Sequence, residues 1–187
     1  HFFPYYPALN RFVTLLEDNG VYDEYPLDKM DHAKAEEILT SKGYVKGNDG
    51  YWAKDGVQLK MEFTVPEYVD NMRISQVLVE QYQQFGINAV SKNVSSSNYW
   101  GEIGNGQFDT AVYIPGCGSV SEPWAGMNRY HVQYYAPVGE SGGGNVMRWQ
   151  GANADQYSDL VDQIGALPLG DPKIDDLYIS AMKLWLE

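Results

Sequence analysis

Residues Val57–Val65 alternate without a break. Val57, Leu59, Met61, Phe63 and Val65 are apolar, while Gln58, Lys60, Glu62 and Thr64 between them are polar. A period of two predicts a β-strand with one face toward a core, and Pro66 should end it. A helix is then expected from about Val69 to Phe85, with Met72, Val77, Leu78, Tyr82 and Phe85 near helical spacing and Gly86 as the stop. Ile87–Val94 reads as a second strand. Strand, helix and strand within about 38 residues form a crossover unit, which places two parallel strands in an α/β sheet.

Pro4, Pro7 and Pro26 argue against a long regular element in residues 1–30. Met30–Gly43 predicts a helix capped by Asp31, with Ala35, Ile38 and Leu39 toward the core and Gly43 as a left-handed stop. Asn48-Asp49-Gly50 and Lys54-Asp55-Gly56 predict turns around a short strand at Tyr51-Trp52-Ala53. Ser95–Gly106 predicts a short helix capped by Ser97 or Asn98, and Phe108–Ile114 a third strand. From Pro115 to Gln150 the pattern dissolves into a long segment carrying Trp124, Tyr130, Tyr134 and Tyr135, and a segment that long within a compact domain is usually functional. Two helices close the sequence, about Asp155–Leu167 and one opened by Asp171 and Pro172.

Charge and composition narrow the function. The formal charge of −12 opposes binding to nucleic acid or to an anionic membrane, both of which need Lys and Arg. His1, His32 and His131 lack metal-ligand spacing and read as surface residues, so neither metal nor cofactor is expected. Gly139–Asn145 lacks the ending of a phosphate loop and reads as a flexible linker. Cys117 is the lone cysteine and has no base beside it. Pairs of Asp and Glu for glycoside hydrolysis stay open, since spacing in sequence does not fix spacing in space. By contrast, 15 Tyr, 5 Trp and 6 Phe, many outside the predicted core, raise the expectation of a surface that stacks on a ligand.

Five motifs in order resemble the family 5 extracellular solute-binding proteins, the peptide and oligosaccharide receptors of ABC importers. They are Asp31-His32-Ala33-Lys34-Ala35 running to Gly43-Tyr44, then Gly50-Tyr51-Trp52 with Asp55-Gly56, then Phe85-Gly86-Ile87. Gly106-Gln107-Phe108-Asp109 follows, and finally Asn145 to Trp149 with Tyr157, Leu160 and Val161. The resemblance implies an α/β fold, one lobe of a type II periplasmic binding protein, with a mixed sheet flanked by helices. Residues 1–187 would be a single α/β lobe. The chain starts at His1 without Met and ends at Glu187 within a helical pattern, so the expectation is a piece of a longer two-lobed protein. Ligand would lie between the lobes and pass to ABC permease subunits, outside the cytoplasm and without catalysis.

One departure bears on the ligand. Peptide receptors of this family carry an Asp after the third strand that pairs with the peptide's amino terminus. Here the stretch is Gly116-Cys117-Gly118-Ser119-Val120-Ser121-Glu122-Pro123, and Ser119 stands where the Asp belongs. A neutral hydroxyl does not supply the charge-assisted bond that an ammonium needs. Trp124, Asn128, Arg129 and Tyr130 follow, a mixture that suits the apolar faces and hydroxyl rims of sugars. The expected ligand is therefore an oligosaccharide, with Trp124 as stacking platform. The candidate contact set is Trp124, Ser119, Cys117, Asn128, Tyr113 and Trp149. Trp52 and Trp185 read as core and Trp100 stays unassigned. The rival readings are an oligopeptide or nickel-type receptor, a carbohydrate-active enzyme, and a protein-interaction module.

Overall fold

The computed structural model describes residues 7–26, 30–113 and 122–187. In chain order the helices are α1 (Pro7–Asp18), α2 (Val21–Glu24), α3 (His32–Ser41), α4 (Val69–Phe85), α5 (Ser96–Gly104), α6 (Trp124–Met127), α7 (Ala152–Ala166) and α8 (Lys173–Leu186). The strands are β1 (Val45–Lys46), β2 (Trp52–Lys54), β3 (Val57–Gln58), β4 (Lys60–Pro66), β5 (Asn88–Val94) and β6 (Thr110–Ala111). Two compact units result, one made of Lys29–Ile103 with Gln107–Ile114, the other of His1–Asp28, Gly104–Gly106 and Pro115–Glu187.

The first of these units is the α/β one. Strands β5-β4-β6 form a parallel sheet in that order, with Phe63 opposite Ser91 on one side and opposite Thr110 on the other. This is the crossover that the alternating strand demanded, and α4 spans the residues expected of it. Gly86 ends α4 at φ 102, and a Cβ there would strike the carbonyl of Gly50. The same glycine accepts from Trp52 N at 2.8 Å, while the Trp52 indole donates to Phe85 O at 3.2 Å. Trp52 is buried, as expected of it. Phe63, Val65 and Ala89 form the core with Met72, Leu78 and Tyr82 against them; each large side chain buried there contributes about 1.5–3 kcal/mol.

Four expectations need correction in this unit. The run Val57–Val65 is not one strand: it breaks at Leu59, giving β3 to an antiparallel sheet β1-β2-β3 and β4 to the parallel one. The tight turn at Asp55 (φ 52) and Gly56 (φ 78) folds β3 back on β2, so the two halves face different partners. Ile38 and Val77 are exposed, because among the described residues no element covers those faces of α3 and α4; α3 buries no residue. Ser97 and Asn98 lie inside α5, which already starts at Ser96. The third strand is only the two residues of β6 where it pairs, and Ile114 lies outside the described residues.

The other unit is helical among the described residues. Residues 1–30 do hold a regular element, since α1 starts at Pro7, where the missing N–H costs nothing. Phe12 and Leu16, one turn apart, are buried, and Phe12 packs 4.9 Å from Tyr178. Helices α7 and α8 enclose a core of Met127, Tyr157, Val161, Ile164, Ile174 and Ala181. Asp171 opens α8 by accepting from Lys173 N at 2.9 Å. The glycine run is not a linker: a Cβ on Gly144 would fall 2.6 Å from Arg129 O, so the chain is pressed against its neighbour there.

Candidate functional site

Trp124 opens α6 in the helical unit, where Glu122 accepts from its backbone N at 2.7 Å. Its indole rests on α7 at Gly165; a Cβ there would lie 2.9 Å from Cδ1 and 3.1 Å from Cε2. The residue is nevertheless 37% exposed, so one side is seated and the rest is open. Such a ring is fixed before any ligand arrives, which lowers the ordering cost of stacking.

Asn128 follows in a short 3-10 turn, Asn128–Tyr130. Its amide is held on both sides, donating to Tyr134 Oη at 3.3 Å and accepting from Gln133 Nε2 at 3.3 Å. His131 is buried rather than on the surface. Its Nδ1 accepts from Gln133 N at 3.0 Å, and its Nε2 lies 3.3 Å from a carboxylate oxygen of Asp162.

Trp149 belongs to a different neighbourhood. Its ring stands edge-on to Tyr157 (5.0 Å) and to Trp185 (5.1 Å), and Tyr130 approaches Trp185 at 4.4 Å. Trp149 and Trp185 line a recess of about 410 Å³ together with Met147, Arg148 and Gln150. Two residues unremarked beyond their motif hold this loop. Buried Asn145 clasps the Trp149 backbone, accepting from its N at 3.0 Å and donating to its O at 2.7 Å. Arg148, at φ 56, donates to Gly104 O (2.9 Å) and Glu140 O (2.8 Å). Their signal in the sequence was the Asn-x-x-Arg spacing, whose reason is this double clasp.

The contact set is thus brought together only in part. Trp124 and Asn128 share α6 and the turn after it. Trp149 meets α7 at Tyr157, eight residues and about 12 Å along the helix from Gly165. Tyr113 lies in the α/β unit, 6.0 Å from Trp100. Ser119 and Cys117 fall outside the described residues. No group of three or more His, Cys, Asp or Glu among the described residues is placed to hold a metal.

No family model matches the chain, and no curated protein matches it. Solved structures do. The mannohexaose-bound oligopeptide ABC transporter periplasmic oligopeptide-binding protein of Thermotoga maritima aligns with TM-score 0.73 and 23% identity, over 90% of this chain and 31% of its own. NikZ of Campylobacter jejuni, in complex with Ni(L-His), aligns with TM-score 0.66 and 18% identity, over 83% of this chain and 30% of its own. The oligopeptide-binding protein AppA of Bacillus subtilis, in complex with a nonapeptide, gives 0.59 and 19%, over 83% and 29%.

The fold is that of the periplasmic binding proteins.

The chain spans about three tenths of the length of these three structures. Periplasmic binding proteins of this fold hold a sugar, a metal complex and a peptide in those cases, so the fold leaves the ligand to the side chains. Trp124 presents an aromatic face that is seated on one side and open on the other.

Proposed function

We propose that this chain is one lobe of the substrate-binding component of an ABC importer, and that it captures an oligosaccharide between two lobes. Both compact units would belong to that lobe, and the rest of the protein would supply the opposing one. Ligand bound in the cleft favours the closed form, and the closed form is what permease subunits read. The working place is extracytoplasmic; no helix among the described residues is long and apolar enough to cross a membrane.

The observation that carries the sugar reading is the seated, open indole of Trp124. A pyranose ring offers a flat C–H face to such a surface, and the hydroxyl of Ser119 in place of a carboxylate removes the obvious partner for a peptide ammonium. Trp124 contributes the stacking face and Ser119 a hydroxyl partner. Asn128 joins them with an amide already oriented by Tyr134 and Gln133, Cys117 and Trp149 are proposed as further contacts, and Tyr113 is proposed separately as a contact made by the α/β unit.

A thermal-shift screen of the full-length two-lobed protein tests this. Ligand that binds only the folded state raises the melting temperature by mass action. A shift with manno- or gluco-oligosaccharides and none with mixed tri- to pentapeptides is expected. A shift with peptides alone would establish the oligopeptide reading instead, and conversion of the glycan to smaller products would mark an enzyme.

A further inference from the structure

The α/β unit carries a second aromatic surface at the edge where ligands of such sheets bind. Strands β4, β5 and β6 run parallel, so their carboxyl ends, at Pro66, Val94 and Ala111, share one edge. In open α/β sheets the ligand crevice lies outside the carboxyl ends. Helix α5 leaves that edge directly after β5, and Tyr113 follows β6 beyond it.

Trp100 of α5 is 46% exposed, yet it is held from two sides. Its ring stands edge-on to Tyr99 at 5.1 Å and 81°, and edge-on to Tyr113 at 6.0 Å and 76°. Tyr99 itself is fully buried and donates its hydroxyl to Val112 O at 2.7 Å, which ties α5 to the exit of β6. An exposed indole fixed this way forms a right-angled corner with Tyr113, one wall a large π face and the other a phenol. Ser96 and Ser97 precede Trp100 by four and three residues, so their hydroxyls lie on the same side of the helix. The one charged side chain of α5, Glu102, is already paired with Lys92 at 2.9 Å.

We infer that Trp100, with Tyr113 and the Ser96 and Ser97 hydroxyls, is a sugar subsite that stacks one pyranose ring of the oligosaccharide. The inference rests on the oligosaccharide reading above and adds Trp100, Ser96 and Ser97 to it. Stacking on Trp100 supplies affinity through the C–H face of the ring, while the serines and the Tyr113 phenol exchange hydrogen bonds with its equatorial hydroxyls. Helix α5 itself brings no unpaired charge to the corner.

The test follows the indole N–H resonances of Trp52, Trp100 and Trp124 in the ¹⁵N-labelled full-length two-lobed protein, assigned by single Trp→Phe changes, during titration with mannohexaose, maltohexaose and tetra-alanine. A saturable shift of the Trp100 resonance with at least one hexaose is expected. Trp100→Leu should weaken that hexaose at least tenfold, and Tyr113→Ala by a smaller factor. Trp52 lies in the same unit, so its unmoved indole resonance certifies that each variant is folded. A Trp100 resonance that no hexaose moves overturns the inference, as does one that moves only with tetra-alanine. In the first case a Trp124 resonance that still shifts with a hexaose leaves the oligosaccharide reading standing, whereas silence at both positions removes both.

Discussion

Gly165 of α7 is where it is because the indole of Trp124 occupies the space a side chain would need. Gly165→Ala should therefore cost about 1–3 kcal/mol through overpacking, offset in part by about 1 kcal/mol of better helix propensity. The sign of the net effect separates the two. In the wild-type background urea denaturation should show a loss, and in a Trp124→Ala background the same change should stabilise by about 0.5–1 kcal/mol. Stabilisation in both backgrounds would mean that the indole does not sit there.

Arg148 ties Gly104 and Glu140 through backbone carbonyls with one guanidinium nitrogen, and reaches Val146 O with the other at 3.2 Å. A lysine ammonium cannot span that fork. Arg148→Lys is expected to lower stability by about 2–3 kcal/mol, since bonds from a charged donor are lost and carbonyls are left unpaired. Hydrogen exchange should report the same event locally. The Gly139 amide, which donates to Asn105 O at 2.7 Å, should lose protection first.

Three phenols give the protein an alkaline limit. Burial, and then the neighbouring Tyr113, pushes Tyr99 up to about 12. Tyr157 is raised by burial first and then by Tyr130 and Tyr178, and Tyr178 by burial first and then by Tyr22. A folded pKa above the unfolded value of about 10 contributes stability that is complete below pH 10 and lost as pH rises through the folded value. Tyrosinate absorbance from these three buried phenols should thus appear only well above pH 10, in a step that coincides with loss of circular dichroism. Tyr99→Phe should keep the fold to pH 10 while removing its share of that step.

The Asp31 carboxylate caps α3 by accepting from Lys34 N at 2.8 Å. Asp31→Ala should cost about 1 kcal/mol of helix stability. Because α3 buries no residue, the loss is expected as faster amide exchange within α3 and almost no change in the global urea midpoint. A global shift of the same size would show that α3 unfolds only with the whole chain.

The sequence alone determined those features whose causes lie within a few residues of one another. Helix α4 begins and ends where read because Pro66 and Gly86 are local stops, and Asp31 and Asp171 cap their helices through bonds spanning two or three residues. Parallel pairing of β4 and β5 followed from the length of the crossover. Tertiary structure decided everything that depends on what arrives from elsewhere in the chain. The alternation from Val57 to Val65 marks apolar positions but does not say that β3 and β4 serve different sheets. Helical spacing selected Ile38 and Val77, yet a periodic face is buried only where another element covers it, and among the described residues none does. The seat of Trp124 on Gly165, the double clasp of Asn145 on Trp149 and the corner between Trp100 and Tyr113 join residues that are distant in sequence, sit in irregular segments, or both. Side-chain chemistry named the aromatic residues, and only packing could decide which of them is left with an open face.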